Sequence, residues 1–188
     1  MKPSAELMHE HEIILHMLSG AERIAQEIQV SHSVDNKAVE NIIDFSRHFT
    51  DGCHHSKEEK HLFVQLQKRG MSKDQGPVAV MLHEHVLGRN LIQRIETGLK
   101  EYQAGNDGAA QIVSQTILQY VEMLRAHIAK ENNILFPMSD RVLTSDDQQL
   151  LEQSFKEIEE KEVGAGVHEK YHRMAHEIAG EQAHFEKS

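Results

Sequence analysis

From Ser4 to Val30, Leu7, His11, Ile14, Leu18, Ala21, Ala25 and Ile28 recur at intervals of three or four. That spacing lines one face of an α-helix, and the polar stretch 31–36 ends it. A second helix is predicted from about Asp35 to Arg69, capped by Ser33 or Asp35 and stopped by Gly70. It carries two apolar stripes. Ile43, Thr50, His54, Glu58 and Leu62 form one, Ile42, Phe45 and Phe49 the other, and Gly52 between them predicts a kink or bulge. A third helix starts near Pro77 and ends near Gln103, with Val78, Met81, His85, Gly88, Ile92, Ile95 and Leu99 inward. A fourth starts after Asn106 or Asp107 and ends near Pro137, with Ile117, Tyr120, Leu124, His127, Glu131 and Leu135 inward. Four helices of this length on short loops predict an up-down antiparallel four-helix bundle. A charged fifth helix, capped by Ser145 or Asp146, runs to about Glu162, and a sixth follows the break at 163–166 and runs to Phe185. The expectation is an all-α chain, with the bundle over residues 1–140 and two C-terminal helices over 141–188 packed on its outside.

Composition narrows the functional classes. Of 188 residues only 5% are aromatic and 3 are proline, which suits helices. A formal net charge of -10 disfavours nucleic acid and anionic membrane surfaces as partners. The start of the chain, MKPSAELMHEHE, has no apolar signal core, and no stretch is apolar for the roughly 18 residues of a spanning helix. Cys53 is the one cysteine, so no intrachain disulfide is possible and a cytoplasmic protein is expected. The 15 histidines are the outlier. They are spread along the chain, and histidine is both the commonest metal ligand and the usual pH sensor.

An internal repeat separates those two explanations. The LMHEHEIILHML segment near the start resembles VMLHEHVLGRNLI in the middle, and HHSKEEKHLF at 54–63 resembles HIAKENNILF at 127–136. His11 precedes His85 by 74 positions, His54 precedes His127 by 73, and Glu58 precedes Glu131 by 73. Helices one and two therefore repeat as helices three and four, which predicts an approximate two-fold within the bundle. Each unit offers one His from its first helix and a His-x-x-x-Glu from its second. The i,i+4 spacing puts that His and Glu on one face, a turn apart. A buried carboxylate is costly unless paired or bound to metal. Two inward Glu and four inward His, with no Lys or Arg on their stripes, make an anionic cage that a pair of divalent ions would neutralise.

A single inward histidine is more often a hydrogen-bonded core residue. A single His-x-x-x-Glu is often a surface pair, worth roughly 0.2–0.5 kcal/mol. Both motifs, repeated at one offset on apolar stripes, favour metal. His9 and His83 lie about 200° round the helix from the candidate ligands His11 and His85 and are expected at the surface. His16, His32, His48, His61, His176 and His184 are also expected there. His55 and Glu59 duplicate His54 and Glu58 one position on, and the alignment with helix four selects His54 and Glu58. His168 and His172 are spaced i,i+4 and could cap the site or bind a second metal, but the surface reading is preferred. Cys53, beside His54, could react as a thiol with oxidants near a metal, but it reads as a small buried residue, and Met8, Met17, Met81 and Met123 read as core filler.

These segments resemble the hemerythrin-like, HHE cation-binding family. The matching pieces are Glu10–His11, HHSKEEKHLF at His54–Phe63, EHVLGR at Glu84–Arg89 and HIAKENNILFPM at His127–Met138. The resemblance implies a non-haem di-iron centre, with His11 and His54 on one iron, His85 and His127 on the other, Glu58 and Glu131 bridging, and an oxo or hydroxo bridge when oxidised. Oxygen-carrying members add a histidine on helix three and end in an aspartate five residues after the last histidine. Here the positions one turn from His85 are Met81 and Arg89, and Glu131 follows His127 by four. The site is therefore similar to the H…HxxxE…H…HxxxE branch, which includes proteins linked to iron–sulfur repair, nitric oxide handling and iron sensing. Two histidines per iron leave positions open for a small ligand. The expected function is binding or reducing O2, nitric oxide or peroxide in stress response or sensing. The rivals are an iron store or other non-catalytic metal module, a ferritin-like oxidase, and a metal-free histidine switch.

Overall fold

Pro3 opens the first helix, where its missing N–H costs nothing. In the computed structural model, which describes residues 2–163 and 166–180, α1 spans Pro3–Ser31 and closes on His32 in the left-handed region. The second helix, α2 (36–68), is capped by the Asp35 carboxylate, which accepts the Ala38 N–H. It is α-helical over Asn36–Phe45, widens into π-helical turns over Ser46–His55 and Glu58–Leu62, and returns to α over Phe63–Lys68. Gly52 lies within the first widened stretch, so the expected irregularity is a π segment rather than a sharp kink. The third helix, α3, spans Pro77–Gln103.

The fourth helix differs from expectation at its end. It runs from Ala109–Lys130 through a π turn at Glu131–Leu135 into Phe136–Val142, past Pro137; this is α4 (109–142). Pro137 falls in the first turn of the renewed α segment, where an absent N–H leaves no α-helical bond unmade. A capping box follows: the Thr144 hydroxyl accepts the Asp147 N–H and the Asp147 carboxylate accepts the Thr144 N–H, so Thr144 rather than Ser145 or Asp146 starts the next helix. That helix, α5, covers Ser145–Glu157 and continues as a π turn over Ile158–Val163. The last, α6, covers Val167–Ala179 and ends at Gly180 in the left-handed region. The expected continuation of α6 to Phe185, with His184, lies outside the described residues.

The described residues are thus all-helical, in six helices. α1 packs on α4, α3 on α4 and on α2, and α6 lies along α1. Every residue expected on the inner faces of α1, α3 and α4 is buried. Both stripes of α2 are buried too, because α6 covers its second face: Tyr171 meets the rings of Phe45 and Phe49, and His168 meets Phe49 edge-on. Met17 and Met81 are core, Met123 is partly buried, and Met8, expected inside, is exposed. No described helix is long and apolar enough to cross a membrane.

The core is in two pieces. The larger holds Ile14, Leu18, Phe49, Ile92, Ile117 and Leu124 among others, and the smaller holds Leu7, Leu62, Met81, Leu135 and Phe155. His11 follows Leu7, His85 follows Met81, and His127 follows Leu124 by a turn or less. A buried polar layer therefore separates two apolar ones.

Candidate metal centre

Each of α1–α4 lends side chains to that layer. His11, His54, Glu58, His85, His127 and Glu131 are all 1% exposed or less. The ring nitrogens Nε2 of His11 and His54 approach to 2.9 Å. Glu131 Oε2 lies 3.2 Å from His11 Nε2, and Glu131 Oε1 lies 3.3 Å from His127 Nε2 and 4.0 Å from His85 Nε2. Glu58 Oε2 lies 3.4 Å from His85 Nε2 and 3.8 Å from His54 Nε2. Each carboxylate thus faces a histidine of both repeats.

The structure adds a residue that the sequence reading set aside. His55 is buried, and its ring stacks on His85 at a centroid distance of 3.8 Å. Two overlapping groups result, each with one ligand atom per residue inside a 4.8 Å span: His11, His54, Glu58 and Glu131, and His55, Glu58, His85 and His127. Glu58 belongs to both. The position in α4 that corresponds to His55 is Ile128, so the repeat does not extend to this residue and the second group holds three histidines to the first group's two.

The histidines are oriented from behind. Donating from Nδ1, His54 reaches Glu10 Oε2 at 2.8 Å, His85 reaches Glu59 Oε1 at 2.7 Å, and His127 reaches Glu84 Oε2 at 2.9 Å. His11 reaches Asn132 Oδ1 at 2.7 Å, and His55 reaches Asp51 Oδ1 at 3.3 Å. A proton on Nδ1 leaves the Nε2 lone pair facing inward, the tautomer a metal requires. The carboxylates are anchored in turn. Lys57 donates to Glu10, and Lys130 to Glu84. Lys57 is fully buried and also bonds Glu6 and Glu159, the latter from α5. The offsets already aligned Glu10 with Glu84 and Lys57 with Lys130, so these supports could have been read from the repeat.

The donor set fits a pair of cations. Both oxygens of Glu58, both oxygens of Glu131, and Nε2 of His85 and His127 are buried without a hydrogen-bond partner among the described residues. Left so, buried carboxylates would cost several kcal/mol (on the order of 2–7 even for a neutral polar group). Two bridging ions would satisfy all six atoms at once, with histidine nitrogens and carboxylate oxygens of the kind that borderline first-row metals take.

Without metal, the charges compete. Burial pushes His54 and His55 well below the usual histidine value, with neighbouring histidine rings adding to the effect on His55. Burial and the positive charge of His85 hold His127 down at about 4. Burial also acts to lower His85, but the nearby carboxylates of Glu58 and Glu59 win and raise it to about 9. Burial opposes protonation of His11 as well, and Glu131 outweighs it. A proton on His85 thus stands in for part of the cationic charge. Cys53, next to His54, is pushed up to about 12 by burial and by Glu10, so it stays a thiol.

A cavity of about 190 Å³ adjoins the second group, lined by Thr50, His55, His85, Gly88, Tyr120 and His127 among others. Ser46 and Thr50 bring it hydroxyls that lack partners among the described residues. The other histidines divide. His9, His32, His48 and His83 are exposed, as expected, and His61 is partly so. His16 and His176, also expected at the surface, are partly buried against each other, and His168 and His172 are partly buried on α6.

Residues 2–139 match the family model for the hemerythrin HHE cation binding domain. An uncharacterized protein of Mycobacterium tuberculosis is 23% identical over 159 residues, covering 85% of this chain and 62% of its own length. An uncharacterized protein of Mycobacterium bovis matches to the same extent. The chain therefore spans about three-fifths of the length of these relatives. No solved structure matches.

Proposed function

The chain belongs to the hemerythrin HHE cation-binding domain family, and from that premise we propose that it is a non-haem di-iron protein. Its role is to bind or reduce a small ligand, O2, nitric oxide or peroxide, in stress response or sensing. The observation that carries this reading is the shared carboxylate pair: four oxygens of Glu58 and Glu131, buried and unpartnered, between histidines of both repeats. His11 and His54 would hold one ion and His85 and His127 the other, with Glu58 and Glu131 shared between them. We add His55 to the second ion. Residues 1–140 are read as the up-down antiparallel bundle with a two-fold repeat, supported by the paired offsets of ligands and of the Lys–Glu–His chains behind them. Residues 141–188 are read as an extension packed on it. The acidic composition and single thiol suit the cytoplasm.

Iron would supply reversible electron transfer and an open coordination position. The chain's own part is to fix five imidazoles by Nδ1 hydrogen bonds, exclude bulk water with apolar layers, and admit small molecules. The cavity beside His55, His85 and His127 favours ligand binding over storage, because it ends on the ligands and holds only a few waters' volume.

The test is to reduce iron-loaded protein and expose it in turn to O2, nitric oxide and peroxide. The reading expects a ligand-specific absorption change at about two irons per chain. An iron store or structural module instead predicts no ligand-dependent change, or iron well beyond that ratio.

A further inference from the structure

A second group of histidines lies outside the bundle's polar layer, where α6 crosses α1. His16 Nε2 and His176 Nδ1 approach to 3.1 Å, with their rings 4.5 Å apart and tilted by 58°. His172 sits one turn before His176 on the same face of α6, and their ring centroids are 4.9 Å apart. His9, Glu12 and Ile13 complete the walls of a surface cavity of about 190 Å³ into which these rings face.

We propose that this cavity is a separate site for a zinc-type divalent cation, held by His16 Nε2, His176 Nδ1 and His172. A metal bonded to two imidazole nitrogens at roughly 2.0–2.1 Å brings them about 3–3.4 Å apart. The observed 3.1 Å is inside that span. His172 completes the set by a side-chain rotation, since its ring is half-buried beside the pair rather than on it. Water, or the Glu12 carboxylate at the rim, fills the remaining position. Burial and the neighbouring histidines hold His172 below its usual value, which favours the neutral form that a ligand needs.

The distance between the helices is set by packing rather than by the histidines. A Cβ on Gly20 would stand 2.2 Å from the Ile178 carbonyl oxygen, so the two backbones touch at that point. Arg23 Nη2 donates to the same oxygen at 3.1 Å. His16 and His176 are each within a turn of that contact, which leaves them little freedom to separate. A metal here would clamp the C-terminal helix to the bundle, away from the di-metal layer.

The experiment is zinc titration of the untagged full chain, with the core first loaded with iron, followed by dialysis and elemental analysis. The site predicts one zinc per chain beyond the core metal. His16→Ala and His176→Ala should each weaken it by roughly tenfold or more while leaving iron content and helical circular dichroism unchanged. His172→Ala should weaken it as well. Should the core take zinc in place of iron, the wild type still binds one zinc more than His176→Ala, so the outer site is read independently of the core's identity. Equal zinc in wild type and variants, or none beyond the core, overturns the proposal and leaves a hydrogen bond between the two rings.

Discussion

His55 lies face to face with His85, ring centroids 3.8 Å apart and planes 14° from parallel. Its counterpart in the repeat is Ile128, which belongs to the larger apolar core. The two halves of the centre are therefore unequal, and the half with His55 is the one that borders the cavity.

His55→Ala should accordingly loosen one ion and spare the other. Metal content is expected to fall from two toward one per chain, with the His11 and His54 side retained. His83→Ala, at an exposed position, should change nothing. Full metal content with an unaltered spectrum in His55→Ala would make His55 a packing residue only.

Glu131 should change the sign of its effect with metal. In metal-free protein its carboxylate is buried with neither oxygen hydrogen-bonded and the His11 ring, 3.2 Å away, as its nearest counter-group, so Glu131→Gln removes a poorly compensated charge and raises the melting temperature. In loaded protein the same change would remove one of the proposed metal ligands. At metal concentrations about 100-fold above the dissociation constant, the wild type gains about 2.7 kcal/mol from binding that the variant forfeits. Glu131→Ala should likewise lose metal. Thermal melts with and without metal read both arms, and a variant that is less stable in each contradicts the assignment.

The two lysines behind the histidines should differ although they occupy equivalent places. Lys57 is fully buried among Glu6, Glu10 and Glu159. Replacing it by Met strands Glu10 in the interior and should cost on the order of 3–5 kcal/mol. Lys130 is 37% exposed, and its removal should cost under about 1 kcal/mol. Urea denaturation of Lys57→Met and Lys130→Met compares them, and equal losses would rule out burial as the cause.

Asp147 gives a pH dependence. Hydrogen bonds from Arg69, from the Thr144 backbone and from Gln65 hold its carboxyl well below the ordinary value of 3.8. A depressed folded value means stability that is complete above the unfolded value and lost as pH falls toward the folded one. The stability gap between wild type and Asp147→Asn should be constant from pH 7 down to about 5 and shrink below about 4. A gap that persists unchanged at pH 3 would show that the carboxylate's charge is not what fastens α5 to α2.

Most of the fold was legible because helical spacing survives in the sequence. Pro77 and Gln103 bound α3 as expected, and the four inward histidines and two glutamates meet. What was not legible comes from helix geometry. In an α-helix consecutive residues point about 100° apart, so choosing His54 excluded His55. The π turns of α2 widen the helix at that place, and both rings enter the layer, with Glu58 one turn on. A similar π turn carries α4 through Pro137, where a stop was expected. His16 and His176 were assigned to the surface because their contact joins residues 160 positions apart, and spacing within one helix says nothing about that.

The most direct test of the central claim is elemental analysis of untagged protein after iron-replete expression, paired with its absorption spectrum in air and after reduction. The account predicts about two irons per chain and a visible band that reduction bleaches, both abolished in Glu58→Ala and Glu131→Ala. Iron-free protein, or protein holding zinc alone with no redox-sensitive band, would contradict it.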